Sequence, residues 1–225
     1  MISNSKVTTK YNTGKRVNEL IAVIEQKKGD IPAERKAAEE LGRIGSKKAI
    51  NYLISCLERG PIADTLNIFD ILEKVGEKAV PQYMAYLDAH VARPGKEGAS
   101  NAVLFLMGRC SGEGFLLYLI DLYKNPKVSD SIKTAITGLF ILANGCYTRE
   151  VVQALIELIP PDGQDQPDFA LHYTVMSVAD IGYHENLIPL FQAILCTTNP
   201  YWTDFRQEAA TALNSIKTVH VCPRD

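Results

Sequence analysis

The chain is 225 residues long, with 46% hydrophobic residues, 22% charged residues and a formal net charge of −2. That apolar share excludes a disordered polyelectrolyte and suffices for a sizeable core, in one large domain or two small ones. The near-neutral balance argues against sequence-blind nucleic-acid binding, which needs a basic excess.

The first residues, MISNSKVTTKYNTGKR, contain no apolar signal core, so no secretory leader is expected and 1–14 reads as a mobile polar tail. The longest apolar runs, such as Phe115 to Leu122, fall far short of the roughly 20 residues that span a bilayer, so no membrane partner is expected. Cys56, Cys110, Cys146, Cys196 and Cys222 form no C-x-x-C pair. Reduced thiols, a cytoplasmic location and no zinc site follow as expectations. Cys110 and Cys146 fall at matching turn positions and read as two small buried residues.

Along the chain one segment recurs. Ala49 to Leu57, Ala79 to Leu87, Phe115 to Tyr123, Val151 to Ile159 and Leu187 to Leu195 align on Asn51, Pro81, Leu117, Gln153 and Pro189, separated by 30, 36, 36 and 36 residues. Relative to these origins, apolar residues fall at +2 and +6 in every copy and at +3 in the first four, a helical spacing. Pro81 and Pro189 fit the first turn, where a missing N–H has no partner to lose. A second helical segment precedes each copy: Glu34 to Gly45, Leu66 to Gly76, Ala99 to Arg109, Ile132 to Gly145 and Tyr173 to Gly182. Arg206 to Ile216 begins another. Small residues such as Ala37, Ala38 and Ala209 line one face, and glycines such as Gly45 and Gly76 close the first helices.

Each unit is thus a helical hairpin that buries its faces only by stacking on its neighbours. The expected fold is all-α, an α-α superhelix of about five and a half hairpins and roughly twelve helices. It forms a single repeat domain over 15–219: a cap at 15–30, units at 33–60, 63–92, 97–125, 130–160 and 167–197, a half repeat at 204–219, and a tail at 220–225.

The runs AAEELGRIGSKKAINYLISCL, SVADIGYHENLIPLFQAIL and AVPQYMAYL resemble HEAT repeats, most closely the phycobilisome-lyase-type subclass, over about residues 15–216. The resemblance implies an armadillo-like solenoid. The subclass includes bilin lyases, phycobilisome-degradation factors, an iron-dependent hydroxylase and scaffolds.

Four constellations bear residue types that can carry chemistry. His184-Glu185 is a single His-Glu pair where a two-metal site needs several ligands. His90, His172 and His220 show no ligand spacing, so neither a metal nor another cofactor is expected. Gly108 to Gly114 lacks the Lys-Ser/Thr of a phosphate loop and reads as a turn. No base stands near Cys110 or Cys146. Trp202, between Tyr201 and Asp204, reads as a loop anchor, with ligand stacking as its sharper alternative.

The second helices present the origin, +1, +4 and +7 positions outward. Asn51, Ser55, Gln82, Tyr86, Tyr118, Asp121, Gln153, Glu157 and Gln192 are the expected partner-binding residues of a polar concave face, with Tyr86 and Tyr118 as rigid anchors. Such a face suits a protein or peptide better than a small molecule. The expected function is a non-enzymatic adaptor or scaffold. The alternative is a bilin lyase or phycobiliprotein chaperone, carried by the resemblance alone; a HEAT-like DNA glycosylase comes third, disfavoured by charge. Residues 1–60 hold 12 basic and 7 acidic residues and the remainder 12 and 19, a polarity that suggests salt-sensitive self-association.

Overall fold

A computed structural model describes residues 4–26, 29–110, 113–142, 147–159 and 185–219. These residues are helices and their connections, with no strand among them, so the fold is all-α. The chain divides into two compact units, Met1–Cys110 and Ser111–Asp225. The division falls inside the hairpin expected over 97–125.

The first unit holds α1 (Asn4–Glu25), α2 (Ile31–Ile44), α3 (Lys47–Leu57), α4 (Pro61–Thr65), α5 (Ile68–Val75), α6 (Val80–His90) and α7 (Glu97–Cys110). Helix α1 starts at Asn4, inside the segment expected as a tail and well ahead of Lys15. Its packed stripe is Val17, Leu20 and Ile24, an i, i+3, i+7 pattern facing α2 and α3. Two layers follow: α2, α5 and α7 pack side by side, and α3 packs beside α6.

Local chemistry sets the boundaries. Asp30 caps α2 by accepting from the Ala33 N–H at 3.1 Å, and Pro32 sits in the first turn, where its ring fits. Gly45 ends α2 in the left-handed region, φ 58°. Mid-helix Gly42 serves a different end: a Cβ there would lie 2.5 Å from Ile71 Cγ2, so the missing side chain lets α2 approach α5. The helix expected from Leu66 to Gly76 is found as α5, Ile68–Val75, with a further short helix, α4, ahead of it. Asn67 adopts φ 54°, the sole non-glycine residue with positive φ among those described, and separates α4 from α5. Arg35 donates to the Thr65 carbonyl at 2.8 Å, satisfying the end of α4 from α2. Tyr83 is fully buried and donates its hydroxyl to the Leu72 carbonyl at 3.1 Å, fixing α6 against α5.

The second unit holds α8 (Glu113–Lys124), α9 (Asp130–Leu142), α10 (Arg149–Ile156), α11 (Ile188–Leu195) and α12 (Thr203–Val219). Here α8, α10 and α11 pack in succession, α9 lies on α8, and α12 lies on α11. Thr148 caps α10 by accepting from Val151 N–H, as Ser46 caps α3 through Ala49 N–H. Helices α6 and α11 have no capping side chain; each follows a 3-10 turn and carries a proline in its first turn. The Asn186 amide donates to the Tyr147 carbonyl at 2.9 Å, tying the two lead-in turns together.

The repeat is visible in the burial. The +2 residue is 0% exposed in all five copies: Leu53, Tyr83, Leu119, Leu155 and Phe191. Four residues earlier, Ala49, Ala79, Phe115, Val151 and Leu187 are buried too. This i, i+4 pair is the constant core stripe of all five copies, its first member lying in the 3-10 turn ahead of α6 and α11. The +6 position is less constant: Leu87 is buried, Leu57, Tyr123 and Ile159 are half-buried, and Leu195 at the end of α11 is exposed. The helix expected at Tyr173 to Gly182, and Cys146, His172, His184, His220 and Cys222, lie outside the described residues. No helix among the described residues is long and apolar enough to cross a membrane.

Candidate functional site

Helices α3 and α6 lie side by side in the first unit, and their solvent-facing positions meet across a shared concavity of about 380 Å³. It is lined by Asn51, Ile54, Ser55 and Glu58 from α3 and its C-cap, and by Gln82, Ala85, Tyr86 and His90 from α6. Four expected partner-binding residues, Asn51, Ser55, Gln82 and Tyr86, are therefore brought together. The helical period explains it: Asn51 and Ser55 are one turn apart, as are Gln82 and Tyr86, and both pairs look away from the buried stripe.

The polar groups of this site are in part committed. Ser55 donates to the Tyr52 carbonyl at 2.7 Å. Glu58 accepts the Tyr86 hydroxyl at Oε1, 2.9 Å, and the Lys96 ammonium at Oε2, 2.5 Å. Burial works to raise the Glu58 pKa, but the hydrogen bonds from Lys96 and Tyr86 outweigh it and hold the carboxyl below its ordinary value. Burial, and then the Glu58 carboxylate, push the Tyr86 phenol up. The His90 ring stacks on Tyr86, centroids 4.4 Å apart, and its Nδ1 lies 2.9 Å from the Tyr86 carbonyl.

The same trio recurs one hairpin earlier. Glu25 at the end of α1 takes the Tyr52 hydroxyl at 2.8 Å and Arg59 Nη1 at 2.7 Å. In both places a carboxylate at the end of one hairpin is clasped by a tyrosine and a cation of the next. Tyr86 was expected as an anchor for a partner; its hydroxyl instead joins two hairpins, and its ring remains on the wall of the concavity.

The other expected residues lie in the second unit. Tyr118 and Asp121 are on α8, Gln153 on α10, Glu157 at its C-cap and Gln192 on α11. Tyr118 is half-buried and the rest are exposed. Glu157 accepts Lys124 Nζ at 3.0 Å, so its charge is already partnered.

Trp202 is 1% exposed, with its ring 5.0 Å from that of Phe205 at the start of α12. No face is left for a ligand to stack on, so the ring anchors the start of α12 and does not take the stacking role. Arg206 beside it donates to the carbonyls of Thr197 and Asn199 at 2.8 and 3.0 Å, holding the α11–α12 connection. Cys110 is half-buried rather than buried. Burial, with Glu73 and Glu77 nearby, raises its thiol pKa and keeps it from the thiolate form.

Sequence reasoning missed His90 as a lining residue. The signal was present: it lies four residues after Tyr86, hence on the same face. Lys96 could not be read, because 38 residues and a turn separate it from Glu58.

Searches against known proteins give no family: no family model matches the chain, and no curated protein matches it.

Proposed function

We propose that the chain is a non-enzymatic interaction module of the HEAT-repeat kind, a cytoplasmic adaptor or scaffold whose stacked hairpins form an α-α superhelix. It captures a protein or peptide on the face built from its second helices. The observation that supports this reading is the α3–α6 concavity, where polar positions of two successive second helices gather on an open, shallow surface with an apolar floor of Ile54 and Ala85. A surface repeated from helix to helix extends contact along a partner, which a small molecule cannot use. A bilin would bring two carboxylates, and the cation at the rim of the concavity, Lys96, is already bound to Glu58.

The test is capture of a partner by the tagged full-length chain, with Ser55→Arg and Gln82→Arg as variants. Both sites are half-buried at the rim, so helicity by circular dichroism stays unchanged. A specific partner identified by mass spectrometry is retained by the parent chain and reduced at least about tenfold, or 1.4 kcal/mol, by either variant. Equal capture by all three chains contradicts the proposal. Salt-sensitive association between copies belongs to the same reading.

A further inference from the structure

We infer that a second copy of this chain docks on the edge of the first unit where α3 and α6 begin, and does so with the second-helix starts of its second unit. This rests on the reading of the chain as an interaction module whose copies associate, and it names the surfaces that meet. The five second-helix starts share one repeat position, the fourth and third residues before the origins. In the first unit this position holds Lys47 and Lys48, then Glu77 and Lys78: three lysines and one glutamate. In the second unit it holds Glu113, then Arg149 and Glu150, then Glu185: three glutamates and one arginine. The sign of the charge thus reverses between the units at the same place in the repeat.

Local stability does not account for the lysines. The N–H end of a helix is positive and favours an acid, and the carbonyl end favours a cation. Glu34, Asp70 and Glu97 stand in the first turns of α2, α5 and α7, and Arg43, Lys74 and Arg109 in their last turns. Glu150 in the first turn of α10 follows the same preference. Lys47 and Lys48 go against it, in the first turn of a helix that has no acid there. Lys78 stands two residues before α6, which opens without an acid as well. All three lysines are exposed, and none forms an ion pair with a described residue. Lys48 donates to the neutral Asn18 side chain at 2.5 Å. Carboxylates from outside complement both these lysines and the positive helix start they stand on.

The second copy supplies such carboxylates in step. Helix α3 packs beside α6 and α2 beside α5, so the two lysine turns are neighbours at one edge. Helices α8, α10 and α11 pack in succession, so their starts are neighbours too. Packed helices lie about 8–10 Å apart, and rows built on one repeat therefore have matching spacing. The first unit carries 17 basic and 13 acidic residues and the second 7 and 13, so unlike units of two copies attract beyond the contact itself. A nucleic acid meets the opposite condition, because the second unit repels its phosphates.

The experiment is sedimentation velocity of the full-length chain over a range of protein and salt concentrations. One variant carries Lys47→Glu, Lys48→Glu and Lys78→Glu, and the other Glu150→Lys and Glu185→Lys. The parent is expected to associate at low salt and to dissociate as salt is raised. Each variant associates at least about tenfold more weakly than the parent, because like charges then meet. An equimolar mixture of the two variants recovers association, since each presents the sign that the other lacks. The lysine reversals place acids where helix starts favour them, so thermal unfolding of that variant is not lowered, and its comparison with the parent decides by itself. A parent with the mass of one chain at every salt concentration overturns the inference. So does a lysine variant that associates like the parent, or a mixture of folded variants that stays apart. Salt-sensitive binding of a duplex DNA probe that the lysine reversals abolish assigns the lysines to nucleic acid and overturns it too. If association fails in these ways while Ser55→Arg still reduces partner capture, the edge inference falls and the interaction-module reading stands. Capture unchanged by Ser55→Arg removes that reading, whatever the association does.

Discussion

Glu58 shows how one side chain serves both stability and the site. It is held ionised by Tyr86 and Lys96 against the opposing effect of burial. A carboxyl with a depressed pKa contributes stability that is present above its unfolded value and is lost as pH falls through the folded one. The ordinary value is 4.5, so the loss belongs to acid below about that pH. Glu58→Gln is expected to remove this part of the acid sensitivity and to lower stability at neutral pH by about 1 kcal/mol, the scale of a part-exposed ion pair. Denaturant unfolding of the two chains at neutral and acid pH checks it. A Glu58→Gln chain with the same acid sensitivity as the parent would remove the clasp from the account. The residue scale is also where the sequence was least legible. Tyr86 was recognisable as an outward aromatic on α6, yet the carboxylate that takes its hydroxyl lies 28 residues away. Nothing in local pattern encodes such a pairing.

At the scale of elements, period and capping chemistry were the legible signals. The i, i+4 stripe buried in all five copies follows from the aligned apolar positions, and Ser46 and Thr148 stand where N-caps are wanted. What the pattern could not show was the short α4, set off from α5 by one residue, Asn67, in the left-handed region, which leaves hydrophobic spacing unaltered. The start of α1 was missed for a related reason: Asn4 to Gly14 has helical backbone without an apolar stripe to announce it. The two kinds of helix start respond differently to substitution. Ser46→Ala and Thr148→Ala should each cost about 1 kcal/mol by leaving an N–H of the first turn unpaired. The matching positions before α6 and α11, Ala79 and Leu187, offer no side-chain hydrogen bond to lose. Thermal unfolding of the two alanine variants measures this; a Tm unchanged in both would show that the caps contribute nothing.

At the scale of the whole molecule, the net charge of −2 conceals a division that matches the two compact units. Met1–Cys110 carries 17 basic and 13 acidic residues, and Ser111–Asp225 carries 7 and 13. Opposite charges on two units of one chain favour association between copies, and such attraction is screened by salt. Light scattering is expected to give an apparent mass that falls toward that of one chain as salt is raised; a mass of one chain at every salt concentration contradicts it. The proposed binding face stands apart from this polarity, because Glu58 in the α3–α6 concavity is paired with Lys96. Four of the nine expected positions were legible as a place: Asn51, Ser55, Gln82 and Tyr86 do converge. Tyr118, Asp121, Gln153, Glu157 and Gln192 were legible as outward positions only, since periodicity gives direction and not the shape of a surface. The most direct test of the central claim places a photo-crosslinking amino acid at Gln82, inside the concavity, and separately at Lys74, in a depression lined by α2 and α5. Partner captured by the full-length chain should crosslink from position 82 and not from position 74; crosslinking from 74 with none from 82 would show that the second-helix face is not the binding face.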